Sequence, residues 1–474
     1  MSHNATSIDQ HISSTRTVFD ILWSCLFVIF ACTWTVQHLN VPEQREGKDP
    51  GWRGDIKWGR KSVWESAKWM CITILAPEVL VTLNLGQLAQ AWQAMPKLKQ
   101  FAEEDNVPWT LTHSLFANMG GFVIRENAPE RAVDYLHTRS KAGSEVMKEQ
   151  QITPLAEAIQ IDEVTSPSMQ EQANQGRRTQ LRLAKSTFLL ANEILALREQ
   201  GMITLPYITR EEIMDKGKSD IFARILAICQ TLWLVVQMIV RASRHLEVSQ
   251  LEIGTAAFAS CAVTVYALTW HKPKGVGVPW TICSYPGIIP KGFSTLNFES
   301  VYNKWWVLEI LNPPPSGSRR RELRGSSIPN HHRYTGKSWD GEPWFADSYE
   351  VVGFVLSSTT FGAIHFAAVK SSFPSHIEWV LWYMASGICT GVSLLIISAF
   401  VVSALYAHLR YFLSPTANFE EHYVLVLRLT AIYSVFPLYI IARLFLIVEL
   451  FRCLFFLPPS AFVATWVSSI PHVS

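Results

Sequence analysis

VVGFVLSSTTFGAIHFAAV (351–369) and IEWVLWYMASGICTGVSLLIISAFVVSALY (377–406) are two apolar runs separated by only a few residues around Phe373-Pro374-Ser375-His376. About 20 apolar residues are enough to cross a hydrocarbon core, and each run qualifies. So short a connection forces the two helices to lie side by side and antiparallel. His365 lies deep in the first run and Glu378 at the head of the second. Ionisable groups at membrane depth are costly, so both count as functional candidates.

Working outward, the chain has 474 residues, 49% of them hydrophobic and only 17% charged. Its mean hydropathy of +0.14 averages long apolar runs with long polar loops. Several runs pass the length test for spanning, which predicts an all-α, polytopic transmembrane helix bundle of seven to eight spans in the endomembrane system or plasma membrane. A net charge of +2 gives no global attraction to nucleic acid. The eight cysteines fall mostly inside apolar runs without a CxxC pair, and they read as small core residues. No metal or cofactor is implied: phosphate-cradling, dinucleotide-binding and nucleophile-elbow motifs are all missing. His331-His332 lacks the spaced histidine partners of a metal site.

In chain order, residues 1–124 carry spans at about 17–38 and 63–92, the second interrupted at Ala76-Pro77-Glu78, where Pro77 predicts a kink. WTLTHSLFANMGGFVI (109–124) is short and glycine-broken, and reads as a short span, a re-entrant segment or an interfacial helix. Residues 125–220 form a polar, partly helical cytoplasmic segment, with an amphipathic helix expected over 182–200. Two spans fill 221–271, and a Pro-, Gly- and Arg-rich irregular loop fills 272–347. Residues 348–474 hold spans at about 351–370, 377–411 and 423–450, then an interfacial tail. If 109–124 crosses, eight spans put the basic loops 39–61, 125–220 and 272–347 on one, cytoplasmic, side and both termini on the other. If it does not cross, seven spans remain. Asn4 begins a glycosylation sequon that suits a lumenal amino end.

Most acidic residues near span ends are accounted for as caps. Ser or Thr followed three residues later by an acid is a capping box, in which hydroxyl and carboxylate each satisfy an orphan backbone N–H. Thr17/Asp20, Ser62/Glu65, Thr209/Glu212, Ser249/Glu252 and Ser375/Glu378 fit this spacing. Glu449 and Arg452, three apart on one face, are expected to pair. Glu78 is left over. It lies sixteen residues past Ser62, about 24 Å along a straight helix. A carboxylate at that depth must be protonated, paired or facing water. Its candidate partners are His365, His113, Asn118, Arg428 and Arg443. Glu78 and His365 are thus the candidate catalytic residues.

DILWSCLFVIFACTWTVQHLNVP (20–42), WMCITILAPE (69–78), LTHSLFANMGGF (111–122) and DKGKSDIFARILAICQTLWLVVQMIVR (215–241) belong with FGAIHFAAV (361–369), FPSHIEWVLW (373–382) and ARLFLIVELFRCL (442–454). Jointly these stretches resemble a large family of fungal multi-spanning membrane proteins. The resemblance implies a fungal origin and, by association with secondary-metabolite genes, a biosynthetic setting, but it brings no catalytic residue with it. Three functions follow as expectations. The first is a membrane-embedded enzyme or accessory acting on a lipophilic small molecule, with Glu78 as the proton donor of acid-initiated isoprenoid chemistry. The second is a transporter or channel with Glu78 on a polar path. The third is a sensor or scaffold working through the polar segments.

Overall fold

The structure, a computed structural model, describes residues 15–45, 49–127, 186–217, 221–286, 327–330, 346–413 and 421–465. Helices dominate: α1 (Val18–Thr35), α2 (Trp52–Leu75), α3 (Pro77–Glu104), α4 (Leu111–Asn118), α5 (Ala191–Glu199), α6 (Arg210–Asp215), α7 (Ile221–Ser243), α8 (Gln250–Leu268), α9 (Ala346–His365), α10 (His376–Leu413) and α11 (Glu421–Arg452). Four of the long helices, α1, α7, α8 and α9 with its 3₁₀ extension, are long and apolar enough to cross a membrane, or five segments do so if α2 and α3 count as one broken span. The helices α10 and α11, of 38 and 32 residues, carry the remaining long apolar runs.

The expectation of an all-helical chain is corrected by a three-stranded sheet in the order β2-β1-β3. Strand β1 (Phe122–Asn127) pairs antiparallel with β2 (Ser186–Leu189) and parallel with β3 (Trp280–Pro286). A parallel partner requires a long crossover, and α7 and α8 supply it here. The helix expected over 182–200 is in its described part β2 followed by the shorter α5.

Two separate apolar cores result. The first gathers Ile21 and Cys25 of α1, Leu80 and Val81 of α3, Phe258 of α8, Phe361 of α9, Trp382 of α10 and Leu446 of α11. The second is a lobe of Leu98 and Ala102 of α3, Phe116 of α4, Val123 of β1, Phe188 of β2 and Leu197 of α5. Helix α3 feeds both. Its 28 residues run from the bundle interior into the lobe.

The bundle has two faces. At the tail face, Arg16 pairs with Glu252 at 2.6 Å, Arg241 donates to the Val463 carbonyl at 2.9 Å, and Gln250 donates to the Ser372 carbonyl at 2.7 Å. At the lobe face, the Asn40 N–H donates to Asn330 Oδ1 at 2.6 Å and Lys272 Nζ donates to Gln87 Oε1 at 2.6 Å.

Between α2 and α3 the helix axis bends by 110°. Pro77 is the cause. It lacks the N–H that would continue α2 and excludes α-helical backbone at the residue before it, and Ala76 accordingly sits at φ −150°, ψ 74°. Proline suits the first position of a helix, so α3 starts there in a new direction. Both limbs lead back to the lobe face: Glu65, midway along α2, accepts from Asn330 Nδ2 at 3.0 Å, and α3 ends inside the lobe. The kink expected at Pro77 within 63–92 is therefore a sharp V whose apex points into the bundle, and the straight-helix depth of Glu78 no longer applies.

Of the readings offered for residues 109–124, the structure speaks against the short span. Helix α4 has eight residues, about 12 Å, too short to cross. At its end Gly120 takes φ +80°, a conformation that side chains resist, and leads into β1.

Candidate functional site

The apex of the V builds the site. Glu78 is the second residue of α3 and is fully buried. Tyr439 and Arg443 lie one turn apart on α11, the spacing that puts two side chains on one helix face. The Tyr439 hydroxyl donates to one oxygen of Glu78, and Arg443 Nη2 donates to the other at 2.9 Å. The guanidinium carbon of Arg443 stands 3.5 Å from the Phe361 ring centroid, close enough for cation–π attraction. The His365 ring lies 4.6 Å from that same phenyl ring. Its Nδ1 is 2.7 Å from the Phe361 carbonyl, which can only accept, so Nδ1 carries the proton and Nε2 presents a lone pair. His365 Nε2 and Arg443 Nε are buried without a hydrogen-bond partner among the described residues.

Two small cavities lie near the apex, neither of them lined by Glu78, Tyr439 or Arg443. The inner one, about 10 Å³, is lined by Cys32, Thr33, Thr73, Pro77, Leu80 and Cys261. The outer one, about 20 Å³, is lined by polar His38, Asn84, Gln87, Lys272 and Asn330, with Leu80 as its inner wall. Space of this size suits about one water apiece. Leu80 alone lines both cavities. In the outer one, burial pushes the Lys272 ammonium down to about 7.

Of the residues singled out from sequence, the structure brings together Glu78, Arg443 and His365. It places His113 and Asn118 in the lobe instead, and they serve the fold there. His113 accepts from the Thr110 N–H and donates to the Ile208 carbonyl at 2.8 Å, and burial holds its pKa below the usual histidine value. Asn118 accepts from the Ala191 N–H at 3.0 Å and donates to the Gln87 carbonyl. The side chain of Arg428, and Asn4, lie outside the described residues. Among the described residues no group of three or more His, Cys, Asp or Glu gathers as a metal site.

The caps divide. Capping boxes form at Thr17/Asp20, Thr209/Glu212 and Ser249/Glu252, and Glu252 also holds Arg16. Ser62/Glu65 is not a cap, because α2 begins ten residues earlier at Trp52. Glu65 instead receives Lys68, Trp69 and Asn330. Ser375 Oγ accepts from the Glu378 N–H at 3.3 Å, but the Glu378 carboxylate pairs with Arg452. Glu449 therefore loses its expected partner and accepts from Cys453 Sγ at 3.3 Å. Sequence reasoning missed Tyr439 and Lys272. Tyr439 stands four residues before Arg443, a signal that was available; Lys272 meets Gln87 only through the fold.

No curated protein and no solved structure matches this chain. A family profile does match, over residues 4–140, 175–286 and 347–473, which is most of the chain. The chain belongs to that family, a family of unknown function (DUF8562).

Proposed function

We propose that this protein is a multi-pass membrane protein that moves a small hydrophilic species along a path gated by Glu78 and Arg443. In this reading α1, α7, α8, α9, α10 and α11 cross fully, and α2 with α3 dips in from the lobe face and returns. Six crossings leave both termini on the tail face, and the basic residues of α2 and its preceding loop mark the lobe face as cytoplasmic. This replaces seven or eight full spans by six and one re-entrant hairpin.

The observation that carries the reading is a buried carboxylate–guanidinium pair at the apex of a broken helix, with a water-sized cavity against Pro77, the residue before the carboxylate. Broken backbone at membrane depth is tolerated where it is buried in protein or lines a cavity, and it is a recurrent place for binding sites. The depth supports it. Arg443 lies nine residues before Arg452, and Cys261, beside the apex, nine after Glu252. Both are roughly 14 Å from the tail face, close to half of a ~30 Å core. Acid catalysis on a lipophilic molecule has weaker support. Both Glu78 oxygens already accept hydrogen bonds, and the cavity beside it is about 10 Å³.

The test is flux through purified protein in liposomes, first for protons with an enclosed pH dye, then for alkali cations and halides. Wild type should pass at least one of these species, and Glu78→Gln should return the rate to that of empty vesicles. An inactive wild type across the series, or an unaltered Glu78→Gln rate, overturns the reading.

A further inference from the structure

The first half of α2 is exposed nearly all round. Between Trp52 and Trp64 only Gly54 is buried and Trp58 half-buried. A helix segment without protein packing, carrying Trp52, Ile56, Val63 and Trp64 at 54–71% exposure, needs another apolar phase to cover it. At 100° per residue, Trp52, Ile56 and Val63 fall on one narrow stripe, and Met70 and Ile74 continue it towards the apex. Arg53, Lys57, Arg60 and Lys61 occupy the adjoining arc. Their own carboxylates satisfy only half of them. Lys57 pairs with Asp49 and Lys61 with Glu43, while Arg53 and Arg60 have no carboxylate partner among the described residues. Arg53 lies over the Trp52 ring at 5.4 Å and Lys61 over Trp58 at 5.0 Å. An apolar stripe with aromatic rings flanked by unpaired cations is the pattern of a helix lying in a lipid interface, attracted by anionic headgroups.

We propose that residues 52–64 are a docking surface for the anionic phospholipids of the lobe-face leaflet, with the stripe seated at the acyl boundary and Arg53 and Arg60 on the headgroup phosphates. The inference deepens the transport reading by naming what holds the outer limb of the hairpin. Helix α2 is continuous from Trp52 to Leu75, so the leaflet that seats its start also sets where Pro77 and Glu78 stand. The binding itself does not depend on flux, and its failure is distinguishable from failure of the gate.

The experiment uses the full chain in an uncharged detergent, titrated with phosphatidylglycerol or phosphatidylcholine while thermal unfolding is followed. Wild type should rise in Tm with phosphatidylglycerol and far less with phosphatidylcholine, and high salt should erase the difference. The double variant Arg53→Gln/Arg60→Gln, altered at exposed positions without a carboxylate partner among the described residues, should fold normally. It should need roughly thirty-fold more phosphatidylglycerol, the worth of two cations at an anionic surface. Lys97→Gln/Lys99→Gln, a charge-matched change on the lobe, should titrate as wild type. Equal shifts with both lipids, an unchanged midpoint in Arg53→Gln/Arg60→Gln, or an equal loss in Lys97→Gln/Lys99→Gln would overturn the proposal.

Discussion

The two ends of α3 carry the same device in two different media. At its start Glu78 pairs with Arg443, which lies over Phe361; at its end Asp105 pairs with Arg198, which lies over Phe101. Asp105 receives two guanidinium hydrogen bonds, at 2.7 and 2.8 Å, plus the Leu205 N–H at 2.8 Å. The inner pair is 3% and 0% exposed, the outer 18% and 9%. Water can rehydrate either member of the outer pair if its partner leaves. At the apex nothing can, so each inner charge is tolerated only because the other is present. The same chemistry is an ordinary tie in the lobe and an obligatory couple in the bundle.

The largest effect should come from separating the inner couple. Arg443→Met leaves Glu78 as a lone buried charge and should cost about 3–5 kcal/mol in detergent unfolding. Adding Glu78→Gln to it should restore a substantial part. A double variant no better than Arg443→Met would break the comparison, since the two groups would then be independent.

A second test lies midway along α3, where Lys272 meets Gln87. Burial lowers the Lys272 ammonium to about 7, whereas an unfolded lysine titrates near pH 10.4. Between these values the unfolded chain holds the extra proton, so folding should strengthen as pH rises from about 7 towards 10, by at most about 1.4 kcal/mol per unit. Lys272→Met should flatten that rise, as read by unfolding midpoints at neutral and alkaline pH. A slope as steep in Lys272→Met as in wild type would assign it to another group.

The smallest effect belongs to the outer pair. Asp105→Asn should cost about 1–2 kcal/mol, the scale of a partly exposed charged hydrogen bond. Its hydrogen bonds with Arg198 hold the Asp105 carboxyl below the usual carboxylate range. Its contribution is therefore complete above about pH 4 and fades as pH falls through the lowered value. The gap between wild type and Asp105→Asn should close in acid. A gap as large as that of Arg443→Met would mean that the two ends do not differ as argued.

Much of the bundle was legible in the sequence because its signals are local. Apolar length marked α1, α7, α8 and the α9–α10 hairpin, and the capping spacing at Thr17, Thr209 and Ser249 marked where helices begin. Glu78 stood out because no cap or neighbour explained it, and Arg443 was among the partners considered for it. What stayed hidden depends on direction or distance. Pro77 announces a break, but not whether the chain bends slightly or turns back, because packing of α3 against α9 and α8 decides that. Residues 109–124 carry a span's hydropathy at less than a span's length; their apolar side chains are spent on the lobe, whose sheet depends on β3, far along the chain. Tyr439 was overlooked because a hydroxyl in an apolar run is unremarkable until a carboxylate arrives from another helix.

That distant strand has a consequence for biosynthesis. Strand β1 sits at the centre of the sheet, yet β3 joins it only after α7 and α8 have been made. Until then one edge of β1, with Phe122, Val123 and Ile124, has no partner, and an open apolar edge invites aggregation. Because β3 follows α8 along the chain, closing that edge requires the chain to return to the lobe after α7 and α8, so the sheet is completed only once most of the preceding elements exist.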